Sequence, residues 1–288
     1  MTSASVPEWF TRALSAAPEQ RSIEVSGARI RYRVWGTPGA PGVVLVHGGS
    51  AHAGWWDHVA PQITGYRVVA PDLSGHGDSD HREAYDVRLW ARELVEVAAA
   101  EDLGRPVVVG HSRGGWVAVT AGVEHSGEVG GVVLVDSPLW PATPDEDLLR
   151  RRRAARRLHA TRGAALERFV PLPEQDVVLP FVRDHIAGQS VRAVDGGWAW
   201  KFDPRSFGRP IPQEELLARL ALPTAVVHCE HGLVSDAMAQ RIAGMLPERP
   251  PVVRLAGSGH HPMLDQPLPL VATLQTLLAV WTSVASGA

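Results

Sequence analysis

The sequence predicts an α/β domain in which a mostly parallel central sheet is flanked by helices and interrupted by an inserted helical cap. Three observations carry that prediction. Short, continuously apolar, β-branched runs recur along the chain, helical patterns lie between them, and the alternation stops from Pro138 to about Pro212. A run such as Val43-Val44-Leu45-Val46, closed by Pro41-Gly42 before it and His47-Gly48 after it, is how a strand buried on both faces reads. Strands of that kind alternating with helices imply a parallel sheet covered on both sides.

Taken in order, residues 7–14 carry Trp9, Phe10 and Leu14 and read as a short amphipathic helix that packs on the body or on a partner subunit. Residues 21–35 alternate Ile23/Val25 and Ile30/Tyr32/Val34 around Ser26-Gly27, an antiparallel hairpin for one sheet edge. Buried strands are predicted at 43–46, 68–70, 107–109, 132–135 and 225–227. Residues 86–101 place Trp90, Leu94, Val97 and Ala98 on one stripe; 116–122 and 268–281 supply further helices. The core is therefore assigned to 1–137 and 213–288, and the cap to 138–212. The cap opens on Thr143-Pro144-Asp145-Glu146, a capping box with proline at the first helical position. Six arginines among residues 150–157 suit the far end of that helix dipole and a solvated face, not a nucleic-acid site.

Composition excludes several classes. A chain of 288 residues with 45% hydrophobic and 20% charged content is an ordinary globular protein. A net charge of −3 gives no footprint for nucleic acid. The single cysteine, Cys229, cannot form an internal disulfide and suits a reducing compartment. The N-terminus lacks the basic-then-apolar pattern of a signal peptide, and no run of about eighteen apolar residues could span a bilayer. A cytoplasmic protein without membrane attachment is expected, as a monomer or homodimer. No cofactor is implied, since there is neither a Gly-x-Gly-x-x-Gly after a strand nor a Gly-Lys-Ser/Thr loop. No metal is expected either: there is no His-x-x-x-His or cysteine cluster, and His228 with His231 lacks a third ligand.

The chemistry concentrates where the run 107–109 enters Gly110-His111-Ser112-Arg113-Gly114-Gly115-Trp116. A buried strand running into Gly-x-Ser-x-Gly and then directly into a helix makes a very tight turn. Such a turn strains Ser112 and holds its hydroxyl clear of the sheet, at a helix N-terminus. The alternative is a serine N-cap with glycines for packing; the strand before, the helix after and the extra Gly115 where helix approaches strand favour the elbow.

With this elbow the chain resembles the α/β-hydrolase superfamily, over residues 21–285. The resemblance rests on four motifs in the family's order: His-Gly-Gly at 47–49, Pro-Asp-Leu-Ser-Gly-His-Gly-Asp-Ser at 71–79, the elbow, and Gly-Ser-Gly-His at 257–260. It implies Ser112 as nucleophile and His260 as its base, with His261 the rival. It also implies oxyanion N–H groups from Gly49 and Arg113. The family's commonest acid position, just past the penultimate strand, holds glycine in His231-Gly232-Leu233. Part of the superfamily carries its acid one strand after the nucleophile helix, which here is Asp136; Glu230 and Asp236 remain alternative acids. His47, Gly48, Trp55, His111, Trp198, Trp200 and His261 are expected to border the substrate pocket, although packing is the weightier reading for His111. For Trp198 and Trp200, ordinary packing within the cap has equal weight. Serine at the elbow argues against dehalogenases and epoxide hydrolases, which need a carboxylate there. The resemblance implies hydrolysis of a small ester-like molecule. Carbon–carbon bond hydrolases, cofactor-free lyases and small-molecule receptors that keep the site are the alternatives.

Overall fold

The computed structural model describes residues 6–140, 158–206 and 211–286. The predicted capping box at 143–146 and the arginines of 150–157 lie outside the described residues. Strands β1 (Glu19–Val25), β2 (Ala28–Trp35), β3 (Gly42–Val46), β4 (Arg67–Pro71), β5 (Val107–His111), β6 (Gly131–Val135), β9 (Thr224–His231) and β10 (Val252–Gly259) form one eight-stranded sheet. Its order is β1-β2-β4-β3-β5-β6-β9-β10, antiparallel at β1/β2 and β2/β4 and parallel elsewhere. The hairpin turns on Ser26 and Gly27, both at positive φ, as two-residue hairpin loops require.

Side-chain alternation divides the core into two layers. Val44 and Val46 of β3 and Val132 and Leu134 of β6 face α2 (Val87–Ala100) and α3 (Arg113–Glu124). Val43, Leu45, Val133 and Val135 face the opposite layer, with Phe10 of α1 (Glu8–Ser15) and Leu270, Leu274 and Leu278 of the final helix (Pro267–Ser286). That two-sided burial is why these strands read as unbroken apolar runs. Helix α2 begins where Asp86 accepts a hydrogen bond from Arg88 N–H at 2.8 Å. Among the described residues no helix is long and apolar enough to cross a membrane.

Among its described residues the insertion adds no strand to this sheet, and these residues are not wholly helical. Its described part holds α4 (Arg162–Leu166), α5 (Pro180–Gln189) and an antiparallel hairpin of β7 (Val191–Val194) and β8 (Gly197–Trp200). Four-residue strands are too short for their alternation to stand out from loop sequence. A polar knot binds the insertion to the core. Asp57 takes hydrogen bonds from Arg33 at 2.6 Å, from Gln189 at 2.7 Å and from His185 at 3.0 Å, the last two on α5.

Candidate active site

Ser112 joins β5 to α3 with φ 53 and ψ −119, a conformation that costs a non-glycine residue about 1–3 kcal/mol. Its neighbours make that turn possible. A Cβ on Gly110 would stand 2.2 Å from the Gly114 carbonyl oxygen, and one on Gly115 would stand 2.0 Å from Ser137 Oγ. The Ser112 N–H donates to the Val135 carbonyl at 2.9 Å, so β6 fixes the turn from the side. Helix α3 starts against the end of β3, since a Cβ on Gly114 would meet the Val46 and His47 carbonyls at 2.5 Å.

His260 follows β10 and Asp136 follows β6, and their side chains meet Ser112 in a line. His260 Nδ1 lies 2.6 Å from Asp136 Oδ2, and its Nε2 lies 3.0 Å from Ser112 Oγ. The carboxylate accepts, so Nδ1 carries the proton and Nε2 offers its lone pair to the hydroxyl. All three side chains are buried: Ser112 is 6%, His260 3% and Asp136 0% exposed. The Asp136 carboxylate also accepts the backbone N–H of Leu233 at 2.8 Å, Cys229 at 3.0 Å and Val234 at 3.4 Å. A carboxylate so satisfied is fixed in place and can orient the imidazole beside it.

The alternative acids lie elsewhere. Glu230 accepts from Arg254 at 2.7 Å and from the Gly257 N–H at 2.8 Å on an exposed edge. Exposed Asp236 opens the helix Asp236–Met245, its Oδ1 3.5 Å from His228 Nε2. Gly232 lies against Asp136 itself: a Cβ there would stand 2.4 Å from Asp136 Oδ2.

His47-Gly48-Gly49 leaves β3 beside the serine. Leu73 N–H donates to His47 Nε2 at 3.1 Å, so the proton sits on Nδ1, 2.8 Å from the Gly48 carbonyl. His47 thus pins this turn to the loop after β4, as its place in the motif suggests. Asp72 adds a second tie, accepting from Ala53 N–H at 2.7 Å and from Asp78 N–H at 2.9 Å. Burial pushes its carboxyl up to about 6. Gly48 must be glycine, because a Cβ there would lie 2.9 Å from His111 Nδ1 and 3.3 Å from Ser112 Cβ. Gly49 is the next residue of this turn, and Arg113 is the first residue of α3.

Aromatic rings pack in a row leading from His261. Trp55 lies tilted against His261 (centroids 5.2 Å) and Phe169 (6.2 Å), and Phe169 reaches Trp200 of the hairpin at 6.1 Å. Trp198, on the same strand, makes paired backbone bonds to His159 at 2.8 and 2.9 Å. His111 is buried, and its Nε2 lies 2.8 Å from the His260 carbonyl, which it must serve as donor. His261 is buried against both other histidines, with centroids 4.6 Å from His260 and 5.2 Å from His111.

Residues 43–274 match the Alpha/beta hydrolase family. The chain belongs to that family. Among curated relatives, epoxide hydrolase A of Mycobacterium tuberculosis is 36% identical over 130 residues, covering 43% of this chain and 40% of that enzyme. Esterase Rv0045c of the same organism is 29% identical over 255 residues, covering 85% of this chain and 84% of the esterase. The crystal structure of that esterase superposes with a TM-score of 0.74 at 26% identity, over 96% of this chain and 100% of its own. A thioesterase domain from the curacin biosynthetic pathway shares the fold, with TM-score 0.75 at 23% identity, over 90% of this chain and 99% of its own.

In this alpha/beta hydrolase one site residue was missed in the sequence. Gln175, in the insertion, accepts the His261 N–H at 2.8 Å and donates to Asp265 Oδ2 at 3.1 Å. The same Asp265 oxygen accepts the Gly259 N–H at 2.6 Å. The residues on both sides of His260 are therefore tied to one glutamine–aspartate pair. Asp265 was visible only as a spacing landmark, and a glutamine in a proline-rich loop carries no local signal.

The buried histidines set an acid limit on stability. Burial lowers His47 and His58 to about 4 and His111 to about 3, and it lowers His52, His76 and His261 well below 6.5. These rings are neutral when folded and take up protons near 6.5 once unfolded. Their stabilisation is complete above pH 6.5 and is lost as pH falls through their folded values. Burial raises Asp72, Glu93 and Asp265, which act oppositely between the ordinary carboxylate range and their folded values, about 6 for Asp72. Six imidazoles against three carboxyls leave a net loss, on the order of 1.4 kcal/mol per pH unit per imbalanced proton. The urea midpoint is expected to stay level from pH 7.5 to about pH 6.5 and to fall from there to pH 5; a midpoint that is flat or rising below pH 6.5 would contradict neutral burial.

Proposed function

We propose that this alpha/beta hydrolase cleaves a carboxylic ester or a related acyl bond through an acyl-enzyme on Ser112. The observation that carries the reading is His260 held between Asp136 at 2.6 Å and Ser112 Oγ at 3.0 Å. As Ser112 Oγ attacks the substrate carbonyl, its proton passes to His260 Nε2, and Asp136 stabilises the imidazolium. The carbonyl oxygen gains charge and takes hydrogen bonds from the Gly49 and Arg113 N–H groups, each worth about 3–4 kcal/mol in the transition state. His260 then protonates the departing alcohol. Water, deprotonated by the same nitrogen, releases the acid and restores Ser112.

Serine also separates this reading from the chemistry named for the epoxide hydrolase relative. A carboxylate that opens an epoxide gives an ester, which water can attack at its carbonyl. A serine would give an ether, which has no such carbonyl and would end turnover. The insertion of residues 138–212 serves as the cap, and the Trp55, Phe169 and Trp200 rings favour an apolar group on the substrate.

A fluorophosphonate probe tests the proposal. Intact-mass analysis is expected to show one adduct, mapped to the peptide bearing Ser112 and absent from Ser112→Ala. A folded protein that takes up no label, or takes it on another residue, would refute the assignment. An ester panel of graded acyl length then reads out the substrate class, with turnover expected to favour apolar acyl groups.

A further inference from the structure

The sequence gives no reason to expect a metal, because no two histidines stand at ligand spacing on one helix. The fold nevertheless brings His111 together with the pair His260-His261, and one ring nitrogen from each lies within 4.8 Å of the others. All three are buried, at 1%, 3% and 5% exposure.

We propose that His111, His260 and His261 form an inhibitory binding site for a borderline transition-metal ion such as Zn²⁺, Cu²⁺ or Ni²⁺. The regulatory consequence rests on the reading of His260 as catalytic base; the binding itself does not.

The hydrogen-bond pattern leaves a lone pair on one nitrogen of each ring. His111 Nε2 donates to the His260 carbonyl at 2.8 Å, so its lone pair is on Nδ1, which has no hydrogen-bond partner. His260 gives Nδ1–H to Asp136, so its lone pair is on Nε2. The Leu172 backbone approaches the His261 ring, yet neither nitrogen of that ring completes a hydrogen bond. Buried imidazole nitrogens are normally partnered, and three unpartnered ones beside a serine need an explanation. Two of the rings already carry the outer contacts that orient metal-ligating histidines, N–H to carboxylate and N–H to backbone carbonyl. Gly48 keeps the volume before His111 Nδ1 clear, since a Cβ there would approach to 2.9 Å.

Neutral imidazoles suit these ions, with copper the strongest binder in the usual order. Metal–nitrogen bonds of about 2.0–2.1 Å would require the rings to close by roughly 1 Å, within reach of small side-chain rotations. No proton need leave: the His260 Nε2 lone pair forms the metal bond, and the Ser112 O–H···N hydrogen bond breaks. Ser112 Oγ or a water takes the fourth position. The serine then has no base, and turnover stops until a chelator removes the ion.

The test uses the full chain with Cu²⁺ for spectroscopy and Zn²⁺ for kinetics. One Cu²⁺ per chain is expected to give an electron paramagnetic resonance spectrum with three nitrogen donors, falling to two in His261→Ala and His261→Gln. The second variant keeps the ring's bulk, and thermal melts verify that both fold. Zn²⁺ is expected to inhibit p-nitrophenyl ester hydrolysis reversibly with EDTA. Each variant, compared with its own metal-free rate, should need at least tenfold more Zn²⁺ for half inhibition. Unchanged inhibition and an unchanged spectrum in both variants would overturn the proposal, as would loss of binding only in His231→Ala. A three-nitrogen spectrum from a protein with no esterase activity would uphold the site and sink the hydrolase reading. Full esterase activity with no copper bound would do the reverse.

Discussion

Replacing Ser112 with alanine is expected to lower kcat for a p-nitrophenyl ester by roughly 10⁶, with little change in KM. Alanine removes the hydroxyl that lies 3.0 Å from His260 Nε2, so no acyl-enzyme can form. His260 keeps its tautomer and position, because its bond to Asp136 and the Gln175–Asp265 ties do not involve the serine. The backbone N–H groups of Gly49 and Arg113, proposed above as oxyanion donors, also remain. Activity should therefore stop short of zero, at about 10³–10⁴ above the uncatalysed rate. Fold stability should hardly move, since the strained φ of 53 is kept by the glycines around it. A kcat reduced less than about a hundredfold would mean that another group attacks the substrate.

Asp136→Asn is expected to cost about 10⁴ in kcat. Among the described residues, the four groups that hydrogen-bond this carboxylate are donors: three backbone N–H groups and His260 Nδ1–H. An amide NH₂ must face two of them in either orientation. Facing His260, it would make Nδ1 the acceptor and move the ring proton to Nε2, where it can no longer take the serine's proton. Facing Cys229 and Val234, it would leave their N–H groups without an acceptor in a dry site, which costs about 1–3 kcal/mol. A lower melting temperature should accompany the lost activity. Glu230→Gln and Asp236→Asn, whose carboxylates meet Arg254 and His228, should stay within about threefold of wild type. If one of them instead removes activity while Asp136→Asn does not, the acid has been misplaced.

How far the sequence carried depended on whether the signal was local. The buried strands were legible because two-faced burial demands unbroken apolar runs, as in Val43–Val46 and Val132–Val135. The elbow was legible because only glycine fits at 110, 114 and 115. The place of Asp136 was suggested by a glycine at 232 where an acid is commonest, a negative signal that needed the family as reference. The β7–β8 hairpin was not legible, since neither four-residue strand alternates between buried and exposed positions. Nor were Gln175 and the histidine cluster: their partners lie 86 and 149 positions away, and only the closed fold puts them in contact.

Gly232 and Asp136 also say something about descent. They stand at the ends of neighbouring strands, β9 and β6, and an acid springing from either would fill the same few ångströms. A lineage cannot drift between the two arrangements one residue at a time. An acid gained at 232 first collides with the carboxylate already present, and an acid lost at 136 first strands an imidazole and three N–H groups. Both intermediates are worse than either end point, so the two positions must change together. The two positions are therefore sterically coupled, and moving an acid from one strand end to the other would take an exchange of both residues.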